Sequence, residues 1–420
     1  MKSSTPFAEV SKVGYYEGKE EEILFSTHTI FRIDRIERIP DEHTDRLWQV
    51  NLTLAGNQDD DFNKLTAHLR EEFTWVTGWG RFADILIRLG ESQKAKHLCK
   101  ILLGKATSDK QRSDYNLQLG TVYYNMGEYS KALSSYERSL EIKKIALPPN
   151  HPNLAASYNN IGLVYYNMGE YSKALSSYER SLEIQKIALP PNHPNLAASY
   201  NNIGNVYYNM GEYSKALSSY ERSLEIKKIA LPPNHPSLAT SYNNIGLVYG
   251  NMGEYSKALS SYERSLEMRK IALPPNHPDF AQSYNNIGNV YKNMGEYSKA
   301  LSSYERSLEI QKIALPPNHP HLASSYNNIG AVYDNMGEYS KALSSYERSL
   351  EIKKIALPPN HPGLATSYNN IGLVYDNMGE YSKALSFLEK AHAIDRKTLP
   401  PNHPHIAQSK RNIEDVKKKM

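Results

Sequence analysis

Two carboxylates are the first residues that could do chemistry: Glu20 and Glu22, in the run Glu20-Glu21-Glu22 directly ahead of Ile23-Leu24-Phe25. Residues two apart in extended chain project to the same face. A pair placed so could stabilise positive charge with one carboxylate while the other orients a guanidinium. Three glutamates before an apolar run are also the ordinary solvated entry to a strand. The pair gains weight only from its surroundings.

Histidine offers a second chemistry. There are 14, and seven of them, His151 through His403, recur in one linker motif. Equivalent positions lie two helices apart, packed helices are about 8–10 Å apart, and metal ligands must converge at about 2 Å from one ion. The ladder therefore cannot bind a metal, and helix capping is its expected role. His319 and His321 flank Pro320 and could meet, but two ligands make a weak site, so no metal is expected. Cys99 is the sole cysteine, which excludes a disulfide framework or thiolate cluster. No Gly-rich phosphate loop follows a strand, and no Ser–His–Asp set stands out from the repeats.

The elements that position side chains are set by repetition. "NMGEYSKALSSYERSLE" occurs six times, with glycines at Gly127, Gly169, Gly211, Gly253, Gly295 and Gly337, and an altered seventh copy follows at Gly379. A fixed period of 42 residues signals a stacked array. Leu154, Tyr158, Ile161, Tyr165 and Met168 form one helical stripe, and Tyr171, Ala174, Leu175, Tyr178 and Leu182 form a second after the glycine break. Each unit is a helix pair. "LPPNHP" separates the units: paired prolines stop one helix, Asn150 or His151 caps the next, and Pro152 takes its first position. Gly162, unfavourable in mid-helix by about 1 kcal/mol, implies close approach of the second helix there.

Bulk properties narrow the classes further. The chain has 420 residues, 22% charged, with a net charge of +4. A nearly balanced surface argues against a nucleic-acid partner. No apolar run reaches the roughly 20 residues that span a bilayer, and residues 1–30 lack the apolar core of a signal peptide. The expectation is a cytoplasmic protein without a membrane partner.

The tyrosine, aliphatic-Gly, tyrosine, then Ala and Tyr pattern of each unit resembles the tetratricopeptide repeat. Its 42-residue length and "NHP" linker resemble the kinesin light chain variety. The implied fold is mainly α, a tetratricopeptide α-solenoid with a small N-terminal β-rich partial domain. On this reading residues 1–58 are the β region, 59–77 a connecting helix or linker, and 78–112 a divergent first repeat; 113–404 hold seven repeats of 42 residues, and 405–420 a C-terminal capping helix with a polar outer face. Kinesin light chains carry heptad coiled coils ahead of their repeats, and no heptads precede these, which puts a cargo-adaptor function behind a general scaffold.

"TIFRIDRIERI" (29–39) and "LWQVNLTL" (47–54) read as strands, being rich in β-branched and aromatic residues. With "SSTPFAEV" and "YYEGKEEEILF", they resemble the C-terminal half of an arginine-specific mono-ADP-ribosyltransferase domain, which belongs among the glycosyltransferases. The resemblance implies that Glu22 contacts the nicotinamide ribose of NAD and stabilises an oxocarbenium-like transition state. It implies that Glu20 holds the acceptor arginine. The family's NAD-binding arginine strand and Ser-Thr-Ser strand precede this turn, so the chain is expected to start inside the domain. Its own residues are then expected to bind no cofactor, NAD entering only with an upstream half. The two explanations are a truncated gene model and a decayed fusion.

The tetratricopeptide resemblance further implies that the first helix of each pair lines a concave groove for peptide or protein ligands. In register with Gly162, the inward positions are Ala156, Asn159, Leu163, Tyr166 and Asn167. Two recur without change: Asn159, Asn201, Asn243, Asn285, Asn327 and Asn369, and Asn167, Asn209, Asn251, Asn293, Asn335 and Asn377. Amide donors and acceptors suit a peptide backbone of any sequence. Others vary: Tyr166 becomes Tyr208, Gly250, Lys292, Asp334 and Asp376 along the array. Exposed positions of the second helix, such as Glu179, Arg180 and Glu183, scarcely vary, so variation concentrated inward is expected to read a ligand with charged ends.

Overall fold

The computed structural model describes residues 23–26, 29–38, 48–54 and 76–420, with side chains from Trp79 onward. Glu20 and Glu22, and the segment 59–75, lie outside the described residues. The chain divides into two compact units, Met1–Ser139 and Leu140–Met420.

In the first unit, β1 (Ile23–Ser26), β2 (Thr29–Arg38) and β3 (Trp48–Leu54) form an antiparallel sheet in that order. Leu24 pairs with Phe31 and Ile36 with Val50, with a register shift between Ile33 and Arg35. Helices α1 (Val76–Arg88), α2 (Ser92–Gly104) and α3 (Asp109–Asn125) follow. Leu86, Ala95 and Val122 form their buried contact. Helix α4 (Tyr129–Ala146) runs across the division between the units.

The second unit repeats a leading helix of 16 residues and a trailing helix of 18. The pairs are α5 (Pro152–Asn167) with α6 (Tyr171–Ala188), α7 (Pro194–Asn209) with α8 (Tyr213–Ala230), and α9 (Pro236–Asn251) with α10 (Tyr255–Ala272). They continue as α11 (Pro278–Asn293) with α12 (Tyr297–Ala314), α13 (Pro320–Asn335) with α14 (Tyr339–Ala356), and α15 (Pro362–Asn377) with α16 (Tyr381–Thr398). A lone α17 (Pro404–Lys419) closes the array.

Local chemistry explains each boundary. His151, not Asn150, is the N-cap: its Nδ1 accepts from the Asn153 backbone N–H at 3.1 Å, with Pro152 next in line. The same bond recurs at His193, His235, His277, His319, His361 and His403. Leading helices end in a Schellman turn. Gly169 sits at φ +76°, its N–H on the Tyr166 carbonyl and the Glu170 N–H on the Tyr165 carbonyl.

Gly162 is where the paired helices touch. A Cβ there would lie 2.8 Å from Cδ1 of Tyr178, so the trailing helix crosses on bare backbone, as the sequence implies. Around it Ala174, Tyr178 and Leu182 pack on Leu196, Ile203 and Val206 of the following pair. Each of these leucine, isoleucine and valine side chains contributes about 1.5–3 kcal/mol by burial. At the end of the array, Ile413 and Val416 of α17 cover Ala384 and Leu388, while Lys410 and Glu414 stay exposed.

Candidate functional site

The asparagines of the leading helices do more than line a surface. Asn159 Oδ1 accepts from Nδ2 of Asn202, the residue one past the equivalent position in the next repeat, at 3.0 Å. The bond recurs from Asn244 to Asn201 (3.2 Å), Asn286 to Asn243 (2.9 Å), Asn328 to Asn285 (2.8 Å), Asn370 to Asn327 (3.1 Å) and Asn412 to Asn369 (2.8 Å). A carboxamide whose oxygen is held this way has its orientation fixed. The Nδ2 donors of Asn159, Asn201, Asn243, Asn285, Asn327 and Asn369 have no protein acceptor among the described residues. None is a buried, unsatisfied atom. The result is a row of oriented amide donors, one per repeat.

A second row runs along the last turns of the same helices. Asn209 donates to the Tyr166 hydroxyl at 2.7 Å, and Asn251 to the Tyr208 hydroxyl at 3.0 Å. Asn377 donates to Asp334 Oδ1 at 3.3 Å. Burial pushes the Asp334 carboxyl above its ordinary range, partly offset by that amide. Lys419 of α17 stands where the next asparagine would fall and holds both oxygens of Asp376, at 2.9 and 2.7 Å. Asp376 is thereby neutralised by the chain itself, which leaves Asp334 as the acidic position of this row without a cation. Gly250 offers no side chain to Asn293, and Lys292 makes no hydrogen bond with Asn335; Asn293, Asn335 and Lys292 have no partner among the described residues. Asn167 donates to the Leu163 carbonyl at 2.8 Å.

Two arguments from the sequence change once the neighbours are known. At the Leu163 position, Asn205 and Asn289 accept from the buried hydroxyls of Tyr220 and Tyr304, each at 2.6 Å. The two asparagines at this position therefore serve the core tyrosine beside them. The constancy of Arg180 and Glu183 also has a structural counterpart, since they pair at 2.8 Å. They are no neutral standard against which inward variation can be measured. A single unit does not display the inter-repeat bonds, which join one repeat to the next. Their signal is the second asparagine of every "YNN", which sits 43 residues after its partner.

Other candidates resolve simply. The rings of His319 and His321 lie 4.7 Å apart, and among the described residues no set of three His, Cys, Asp or Glu could hold a metal. Cys99 is buried, and burial pushes its thiol up to about 12. No helix among the described residues is long and apolar enough to cross a membrane. A depression of 340 Å³ lined by Glu179, Glu183, Lys186 and Tyr200 contains none of the asparagine rows.

A tetratricopeptide repeat model matches residues 112–187, 161–229, 195–271 and 279–355, and a second tetratricopeptide repeat model matches 364–405. The chain belongs to the tetratricopeptide repeat family. Among solved structures it is similar to the apo form of the quorum sensor NprR from B. thuringiensis, with 16% identity over 80% of this chain and 92% of that one and a TM-score of 0.60. It is also similar to the apo form of RapI, with 16% identity, 72% and 99% coverage and a TM-score of 0.52. The nearly identical TPR-like repeats of a Podosopora anserina protein described as a kinesin light chain match at 24% identity, covering 49% of this chain and 98% of that one, with a TM-score of 0.44. No curated protein matches the chain. The first two structures share the fold, and the ligand is argued from this chain's own residues.

Proposed function

We propose that this protein is an interaction scaffold that binds extended or helical peptide segments along the face formed by its leading helices. The observation that carries the proposal is the row of oriented Nδ2 donors from Asn159 to Asn369, held by the next repeat and unused by the protein. Such a row suits main-chain carbonyls, which every peptide presents irrespective of sequence. It needs no metal and no cofactor.

The test is titration of the full chain with peptides selected from a random library. Asn201→Ala/Asn243→Ala/Asn285→Ala removes donors and inter-repeat bonds together. Asn244→Ala/Asn286→Ala/Asn328→Ala breaks the same bonds but keeps the donors. Loss of binding in the first triple variant with retention in the second supports the proposal, and equal binding by wild type and the first variant refutes it. NAD-dependent transfer to arginine through Glu20 and Glu22 is carried by sequence resemblance alone and takes second place. A cargo-adaptor role of the kinesin light chain type is a third, narrower version of the scaffold reading.

A further inference from the structure

We propose that the trailing helices carry a self-association surface, on which a second copy of this chain packs antiparallel across a two-fold axis. The proposal does not depend on the peptide-binding reading, which concerns the leading helices. It starts from a row of exposed isoleucines. Ile145, Ile187, Ile229, Ile271, Ile313 and Ile355, one per repeat, are 67–89% exposed near the C-terminal ends of α4, α6, α8, α10, α12 and α14. One turn earlier on the same helices, Ile184 and Ile226 are buried. Single exposed aliphatics need no explanation, but a regular row of them marks a surface for contact.

The charges beside the row come in both signs. The exposed carboxylates of Glu179, Glu221, Glu263, Glu305 and Glu347 enter no ion pair among the described residues. Lys186, and its equivalents through Lys354, lies over a tyrosine ring and meets no carboxylate. Glu183, between the two in sequence, is already paired with Arg180. Glu179 and Lys186 are seven residues apart, hence on one side of α6 and about 10 Å from each other along its axis. Turning a second copy end for end sets each lysine opposite a glutamate and each glutamate opposite a lysine. The 340 Å³ depression lined by Glu179, Leu182, Lys186, Tyr200 and Ile203 then offers a seat for an isoleucine of the other copy.

The last repeat closes this surface. Lys397 stands where the exposed isoleucine would be and Thr398 replaces the alanine after it. Glu389, the equivalent of Glu179, pairs with Lys417 of α17 at 3.9 Å. Two features name the occupant of the open repeats. The isoleucines recur at the period of the array, which a second array matches step for step. The unpaired charges are equal in number and opposite in sign, so the surface complements itself. An anionic bilayer or an acidic peptide would meet one carboxylate for every ammonium.

Sedimentation velocity on the full chain tests the proposal. Wild type should show a monomer–dimer equilibrium with a dissociation constant in the micromolar range. Ile229→Lys/Ile271→Lys/Ile313→Lys, which copies Lys397 of the last repeat, should keep the wild-type circular dichroism spectrum and weaken dimerisation at least about tenfold. Glu221→Lys/Glu263→Lys/Glu305→Lys should be monomeric alone, as should Lys228→Glu/Lys270→Glu/Lys312→Glu. An equimolar mixture of these two should form the heterodimer, an effect that a loss of folding in either variant would not produce. A wild-type chain that stays monomeric up to about 0.1 mM overturns the proposal. So does dimerisation that the isoleucine variant leaves intact, or a mixture of folded charge variants that stays monomeric. Monomers that cosediment with phosphatidylserine vesicles through the same isoleucines also overturn it and assign the row to a lipid surface.

Discussion

Replacing Gly204 by alanine should loosen the middle of the array, although alanine is the better helix former. A Cβ at Gly204 would lie 2.7 Å from both Cδ1 and Cε1 of Tyr220, against 3.4 Å or more for ordinary contact. The ring has little room to withdraw: Tyr220 is 3% exposed, and its hydroxyl is held by Asn205 at 2.6 Å. Overpacking of this kind costs about 1–3 kcal/mol, and the propensity of alanine over glycine returns about 1 kcal/mol. The net expectation is a loss of up to about 2 kcal/mol. Gly250→Ala is the internal control, because its Cβ meets nothing within 4 Å. That change should leave stability unchanged or raise it by about 0.5 kcal/mol. Arrays need not unfold in one step, so native-state hydrogen exchange of amides in α7 and α8 is the suitable assay. Gly204→Ala protection equal to or above wild type would refute the close-approach argument, as would a loss in Gly250→Ala of similar size.

Three further outcomes follow from single contacts. His235→Ala should cost about 1 kcal/mol by removing the Nδ1 acceptor of the Ser237 N–H, and His235→Asn should restore most of it; thermal unfolding by circular dichroism checks both. Lys227 bonds Ser241 at 2.8 Å, and burial holds its ammonium below the usual lysine range. In the window between that lowered value and 10.5 the unfolded chain keeps a proton the folded chain has lost, so wild type should gain stability with rising pH. Lys227→Gln, which copies Gln185, should rise less steeply than wild type across the same window in urea titrations, Lys353 keeping its own share of the effect. Cys99, its thiol raised from 9.0 to about 12 and fully buried, should react with iodoacetamide at pH 8 at least about a hundredfold slower in the native chain than in urea; comparable rates would contradict its burial.

The fold was legible because each repeat states it several times in local terms. Pro-Pro and His-Pro mark one boundary, Met-Gly-Glu marks the other, and Gly162 with Tyr178 marks the crossing. All of these act within about twenty residues, where sequence spacing is a good guide to distance. At the candidate site, helix register places residues on the leading helices but does not give their chemistry. Asn159 and Tyr166 were identified by helix register, yet whether their polar atoms are free depends on residues 43 positions away. The pairing of Asp376 with Lys419 was hidden for the same reason: the closing helix has lost the repeat's residue types while keeping its register. Nothing comparable can be said of Glu20 and Glu22, which lie outside the described residues.

Photo-crosslinking tests the central claim most directly. A library-selected peptide carrying a benzophenone at successive positions is bound to the full chain, irradiated, and the adducts are mapped by mass spectrometry. The scaffold account predicts adducts on leading helices, at and beside Asn201, Asn243, Asn285 and Tyr208, moving from repeat to repeat as the benzophenone moves along the peptide. Adducts confined to the trailing helices, around exposed Arg222 and Glu225 or their equivalents, would contradict it.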